Sequence, residues 1–195
     1  MSTNVAPLYP VNLSLAGRRV LLVGGGVIAS HKAVALAEAG ARITVVAPLV
    51  SDALRLLAER VELREFQEAD VDGVSFVVSA APADVNRTAS LAGHARGLFV
   101  LAVDQPADAS AQSPALIRRG KLLLTISTDG AAPALSGLVR EALDALLPDD
   151  ETVSAWLELA SRAREAWKRD VLPHAQRRPL LLAALNSLYA GARAQ

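Results

Sequence analysis

From Arg19 to Val103, short apolar runs rich in β-branched residues alternate with stretches whose apolar positions recur every three or four residues. Arg19 to Val23 (Arg-Val-Leu-Leu-Val) reads as a strand, and it ends in Gly24-Gly25-Gly26. Helical spacing follows from Val27 to Ala39, with Gly40 as the C-terminal stop. Arg42 to Val46 is a second strand, halted by Pro48. Strand, glycine turn, helix and strand in this order predict a βαβ unit of about 30 residues. An amphipathic segment at Asp52 to Glu59 comes next, then a strand near Val61 to Arg64. Val74 to Ser79 is apolar almost throughout, as a parallel strand buried on both faces should be. Val85 to Ala95 reads as a helix and Leu98 to Val103 as a further strand. The alternation predicts an α/β fold with a Rossmann-type parallel sheet.

Beyond Asp104 the pattern changes. Gln105 to Pro114 is rich in Ala, Ser, Asp and Pro and reads as loop, and Lys121 to Ser127 as one more strand. Pro133 to Leu147 has helical spacing that gathers Leu135, Leu138, Val139, Leu143 and Leu146 on one side. Pro148-Asp149-Asp150 breaks it, and the remainder reads as helical with breaks at Pro173 and Pro179. Three parts are expected: a Rossmann domain over 1–113, a small α+β region over 114–147, and a helical region over 148–195.

Composition narrows the function classes. The chain has 195 residues, 52% of them hydrophobic, enough for a substantial core. Lys plus Arg and Asp plus Glu are each 20, so there is no basic excess to suggest a nucleic-acid partner. With no cysteine, disulfides, thiolate metal sites and a thiol nucleophile are excluded. His31, His94 and His174 lack metal-ligand spacing, and no metal is expected. Met1 to Pro10 does not read as a signal peptide, and no apolar run reaches the ~20 residues of a membrane span. The expectation is a soluble, cytoplasmic protein with no membrane partner.

The chemistry starts at the glycine turn. Gly24, Gly26 and Ala29 fit G-x-G-x-x-[GA]: the first glycine permits the tight turn, the second lets backbone approach a pyrophosphate, and the small third residue lets helix and strand pack closely. Phosphates would sit at the helix N-terminus, where free N–H groups and the dipole favour an anion. The acid that commonly binds the adenosine ribose after the second strand is missing from Ala47-Pro48-Leu49-Val50; Ser51 and Asp52 come slightly late. No arginine stands there for a 2′-phosphate, which favours NAD over NADP. The only tyrosines, Tyr9 and Tyr189, lack a lysine four residues on, so a dehydrogenase here needs another acid–base group.

Several further segments, in order and spacing, resemble the precorrin-2 dehydrogenases, which also form the N-terminal part of multifunctional siroheme synthases. They are Leu8-Tyr9-Pro10-Val11, Leu15 to Val20, Gly24-Gly25-Gly26-x-x-Ala29-x-x-Lys32 and Gly40 to Pro48. They continue with Asn86, Val103-Asp104-x-Pro106, Pro114 to Leu122 and Ile126 to Leu135. The resemblance implies NAD-dependent oxidation of precorrin-2 to sirohydrochlorin, with Asp104 as the acid–base residue. It also implies a cofactor turn at Gly24, Gly25, Gly26, Val27, Ile28 and Ala29, with Pro48 and Leu49 near the adenosine. Ser127 and Thr128 would lie near substrate, and a homodimer would form through the region after the Rossmann domain. The pattern departs from the family at His31, Ala80-Ala81, Leu101 and Ala111-Gln112, all in the cofactor and substrate neighbourhood.

Plainer readings stand beside these. Asp104 by itself is a turn residue before Pro106. Ser127 and Thr128 could begin a turn and cap the helix at Pro133. Arg118 and Arg119 could pair with substrate carboxylates or form a solvated basic hairpin with Lys121. Two other functions remain open: a bifunctional enzyme that also inserts Fe2+ into sirohydrochlorin, and a non-catalytic module that binds NAD or a tetrapyrrole.

Overall fold

A computed structural model describes residues 7–192, with side chains as far as residue 186. Residues 1–6, which carry much of the stretch behind the signal-peptide expectation, lie outside the described residues. The chain divides into two compact units, Met1–Ser113 and Pro114–Gln195.

In the first unit, β1 (Arg19–Val23), β2 (Arg42–Val46), β3 (Arg60–Glu62), β4 (Phe76–Ser79) and β5 (Val100–Ala102) form one sheet in the order β3-β2-β1-β4-β5. Every pairing is parallel. The helices are α1 (Val27–Glu38), α2 (Asp52–Leu57) and α3 (Ala83–Ala95). Strand side chains alternate between two cores, as the period of two requires. Val20, Leu22, Ile43, Val45, Phe76 and Val78 pack with Ala29, Ala33 and Leu36 of α1 and Leu54 of α2. Leu21, Val23, Val46, Val77 and Val100 pack on the other face with Ala89 and Ala92 of α3. Both faces are therefore covered, which explains the continuous apolar runs of β1 and β4. At Gly93 of α3, an added Cβ would stand 2.6 Å from a Val100 methyl carbon, so α3 lies directly on β5.

Helix α1 stops where the sequence predicts. Gly40 takes φ +74°, its N–H donates to the Ala37 carbonyl and the Ala41 N–H to the Leu36 carbonyl, closing a Schellman turn. Other boundaries move. Helix α3 begins two residues before the expected Val85, and β4 and β5 are shorter than their apolar runs. Strand length is set by where neighbouring strands pair, and apolar residues beyond that point still bury.

In the second unit, β6 (Ala115–Arg119) and β7 (Leu122–Ile126) form an antiparallel hairpin separate from the parallel sheet. Hydrophobic patterning marked only β7, because Arg118-Arg119-Gly120 masks β6. Helix α4 (Pro133–Leu146) packs on the hairpin, and α5 (Asp150–Arg169) touches β6 and carries α6 (His174–Ala192). The expected break at Pro173 falls between α5 and α6, whereas the one expected at Pro179 does not occur: Pro179 lies inside α6. There the proline deletes only one backbone bond near the start of a long helix, and the helix continues through it. The apolar stripe of α4 is open rather than buried in the described chain, with Leu135 51%, Leu138 64% and Leu146 78% exposed.

Candidate functional site

Parallel strands place all their carboxyl ends on one edge of the sheet. The strand order reverses direction between β1 and β4, which is where open α/β sheets leave a ligand crevice. A cavity of about 630 Å³ opens there. The expected residues Gly24, Gly25, Gly26, Pro48 and Leu49 line it, together with Glu65, Phe66, Ala80, Ala81 and Asp84. Val27 and Ile28 do not line it and are exposed, while Ala29 is fully buried against the sheet.

The three glycines differ physically. Gly24 has φ +119°, and an added Cβ would lie 2.3 Å from the Ala80 carbonyl oxygen. Gly25 passes against the chain after β2, where a Cβ would lie 1.8 Å from the Leu49 oxygen. Neither site accepts a side chain, because the obstacles are backbone. At Gly26 the Cβ position meets nothing within 4 Å and the backbone is ordinary, φ −87°. As the N-cap of α1, Gly26 lines the crevice and supplies no side-chain cap to the first N–H groups of the helix. Open space at Gly26, uncapped donors and the cavity size together fit a dinucleotide phosphate.

The chain after β2 carries no carboxylate to the crevice. Ser51 is instead spent on structure: it caps α2 through the Leu54 N–H and shares a hydrogen bond with Ser30, 3.0 Å away. Asp52 sits in the first turn of α2. Glu65 and Asp84 are the carboxylates lining the cavity, and sequence reasoning missed both. Glu65 and Phe66 arrive through the loop after β3, which is pinned by Arg64. The Arg64 guanidinium donates to both Asp70 carboxylate oxygens, at 2.8 and 2.6 Å. This pairing, more than burial opposes it, holds the Asp70 carboxyl below its usual range.

Asp104 follows β5 on the same sheet edge, exposed and in the left-handed region at φ +59°. That conformation is uncommon for residues other than Gly, Asn and Asp, and it marks a sharp change of chain direction. Lys32 of α1 feels its charge. Burial lowers the pKa of the Lys32 ammonium, and the Asp104 carboxylate opposes that shift. Lys32 was legible only as part of the glycine motif, because its proximity to Asp104 depends on how α1 lies across the sheet.

Ser127 and Thr128 lie in the second unit, in the turn between β7 and α4. Their hydroxyls fold that turn: Ser127 Oγ accepts from the Asp129 N–H, and Thr128 Oγ1 accepts from the Ala132 N–H. Thr128 also shares a hydrogen bond with Ser136, 3.1 Å away. Arg119 donates to Asp144 of α4 at 2.5 Å, whereas Arg118 is exposed on the hairpin.

Residues 11–115 match the family described as "Putative NAD(P)-binding". Among solved structures, one named "SirC, precorrin-2 dehydrogenase" superposes with a TM-score of 0.70 at 31% identity, covering 90% of this chain and 88% of that one. The siroheme synthase of Pseudomonas aeruginosa is 40% identical over 174 residues, 87% of this chain and 37% of that protein. The siroheme synthase of Photorhabdus laumondii is 36% identical over 186 residues, 93% of this chain and 39% of that protein. This chain thus spans little more than a third of the length of those two relatives.

Proposed function

Since this chain belongs to the NAD(P)-binding family matched over residues 11–115, we propose that it is an NAD-dependent oxidoreductase that converts precorrin-2 to sirohydrochlorin. The observation that carries the proposal is a shared edge. The glycine turn after β1 and the Asp104 turn after β5 leave the same end of one parallel sheet, and the crevice lies at its switch point. The SirC precorrin-2 dehydrogenase structure, similar over most of both chains, supports the choice of substrate.

Bound NAD supplies a hydride acceptor. In this reading the open backbone at Gly26 and the first N–H groups of α1 hold the pyrophosphate, while Pro48 and Leu49 flank the adenosine. Gly24 and Gly25 keep the turn tight against the chain. Conversion of precorrin-2 requires loss of a hydride and a proton, and the Asp104 carboxylate takes the proton as general base. Lys32 lies within electrostatic reach of that carboxylate. In the second unit, Arg118, Arg119, Ser127 and Thr128 are the proposed contacts to substrate, with the arginines suited to its carboxylates.

The division into a cofactor domain at 1–113, a dimerisation region at 114–147 and a helical region at 148–195 belongs to the same proposal. The seam of the homodimer is the open apolar stripe of α4, where Leu135, Leu138 and Leu146 are exposed. No described helix is long and apolar enough to cross a membrane. A cysteine-free chain with this chemistry suits the cytoplasm.

Anaerobic NADH formation from precorrin-2 and NAD tests the reaction, with Asp104→Asn beside the wild type. Turnover by the wild type and a loss of roughly 100-fold or more in the variant are expected, within the usual worth of a general base. A folded, NAD-binding wild type that forms no NADH would overturn the reading.

A further inference from the structure

Asn86 is 3% exposed near the start of α3, and three hydrogen bonds of its side chain join pieces of chain that line or lead to the site. Its Oδ1 accepts from the Ser79 hydroxyl at 2.5 Å, at the end of β4, and from the Ala81 N–H at 2.9 Å, in the crevice wall. Its Nδ2 donates to the Val103 carbonyl at 3.3 Å, the carbonyl immediately before Asp104. Ser79 closes the loop from the other side, since its carbonyl accepts from the Val103 N–H at 2.9 Å. Ala80, between the two donors to Asn86, holds the carbonyl that abuts Gly24.

We propose that Asn86 is the positioning residue for Asp104, fixing the left-handed turn after β5 relative to the crevice wall. The proposal rests on the reading of Asp104 as general base. The chemistry of the side chain explains why an amide stands here. Two N–H or O–H donors and one carbonyl acceptor must be met by one buried group, and a carboxamide offers an acceptor and a donor in one plane. A carboxylate would keep the first two bonds and set an oxygen against the Val103 carbonyl. A hydroxyl is too short to span them. Asp104 itself turns the chain sharply at φ +59°, so the direction of its side chain depends on what holds the residue before it.

A kinetic double-mutant cycle with Asn86→Asp and Asp104→Asn, singly and together, tests this. Turnover and KM for NAD are measured anaerobically with precorrin-2, and each variant is first checked for native near-UV dichroism. Asn86→Asp alone is expected to lower kcat roughly 10- to 100-fold, the usual cost of misplacing a reacting group by about an ångström. KM for NAD should stay within about two-fold, because the Ala81 bond in the crevice wall is kept. In the Asp104→Asn background, Asn86→Asp should cost no further turnover, since the group it positions is already gone.

Equal losses in both backgrounds would mean a general loosening of the fold and would overturn the proposal while leaving the base reading intact. Wild-type turnover by Asn86→Asp would do the same. Wild-type turnover by Asp104→Asn would overturn both readings. Should Asn86→Asp not fold, the same cycle with Asn86→Ser decides between these outcomes.

Discussion

Replacing Gly26 with alanine adds one methyl group at the mouth of the crevice and nothing in the core. The backbone there, φ −87° and ψ −167°, is open to alanine, and the new Cβ meets no atom within 4 Å. Alanine is the poorer N-cap, at a cost of up to about 1 kcal/mol. Loss of glycine's freedom in the unfolded chain returns about 0.4–1 kcal/mol. These nearly cancel, so Tm should move by no more than about 4 °C. Binding should suffer far more, because the methyl group stands where a pyrophosphate would meet the N–H groups of α1. One hydrogen bond to a charged group is worth about 1.5–3 kcal/mol, so NAD affinity should fall about 10- to 150-fold. Calorimetric titration with NAD, beside a thermal melt, reads both quantities. Gly25→Ala is the counterpart. Its Cβ would collide with the Leu49 carbonyl and break the Ser51-to-Gly25 backbone bond. Overpacking of about 1–3 kcal/mol plus about 1 kcal/mol for the bond lowers Tm by roughly 4–16 °C. Wild-type NAD affinity in a folded Gly26→Ala protein would refute the role given to that backbone.

Three further outcomes follow from the geometry. The Arg64 pairing lowers the folded-state pKa of Asp70, so its contribution to stability is present above the unfolded value of about 4 and is lost as pH falls through the folded value. Urea melts at neutral and acid pH should show Asp70→Asn less stable than the wild type at neutral pH, with the gap closing on acidification; a pH-independent gap would count against the pairing. Val171 holds φ +50° at the end of α5, where its N–H and that of Leu172 donate to the Lys168 and Trp167 carbonyls in a Schellman turn. Val171→Gly should raise stability by about 1 kcal/mol, or about 2–4 °C in Tm, and a fall in Tm would show that the valine side chain has a packing role. Leu138→Glu should convert the proposed dimer to monomer in sedimentation without unfolding α4, because Leu138 is 64% exposed in the single chain; an unchanged sedimentation coefficient would move the seam elsewhere.

Much of the first unit was legible because its signals are local. A period of two cannot distinguish strand neighbours, but apolar runs bounded by Gly24, Gly40 and Pro48 fix where strands and helices begin and end. Gly40 at φ +74° is a case where the residue type and the required conformation coincide. The second unit was less legible. The charged pair in β6 hid a strand, and Pro179 signalled a break that a long helix absorbs. The hydroxyls of Ser127 and Thr128 were read both as turn formers and as substrate contacts. Their hydrogen bonds to Asp129, Ala132 and Ser136 account for the first of these.

By itself, then, the sequence read Asp104 as a turn residue, with the acid–base role implied only by the family resemblance, and it determined the alternation of strands and helices and the glycine turn with its small third residue. Local spacing and residue type suffice for those, since each depends on conformation within a few residues. Only the tertiary structure decided that Glu65, Phe66 and Ala80 wall the crevice, that Lys32 lies within electrostatic reach of Asp104, and that Asn86 ties Val103 to Ala81. These residues come from loops and helices far apart in the chain. Parallel pairing of β1, β4 and β5 brings their carboxyl ends to one edge, and no local pattern encodes which side chains then meet.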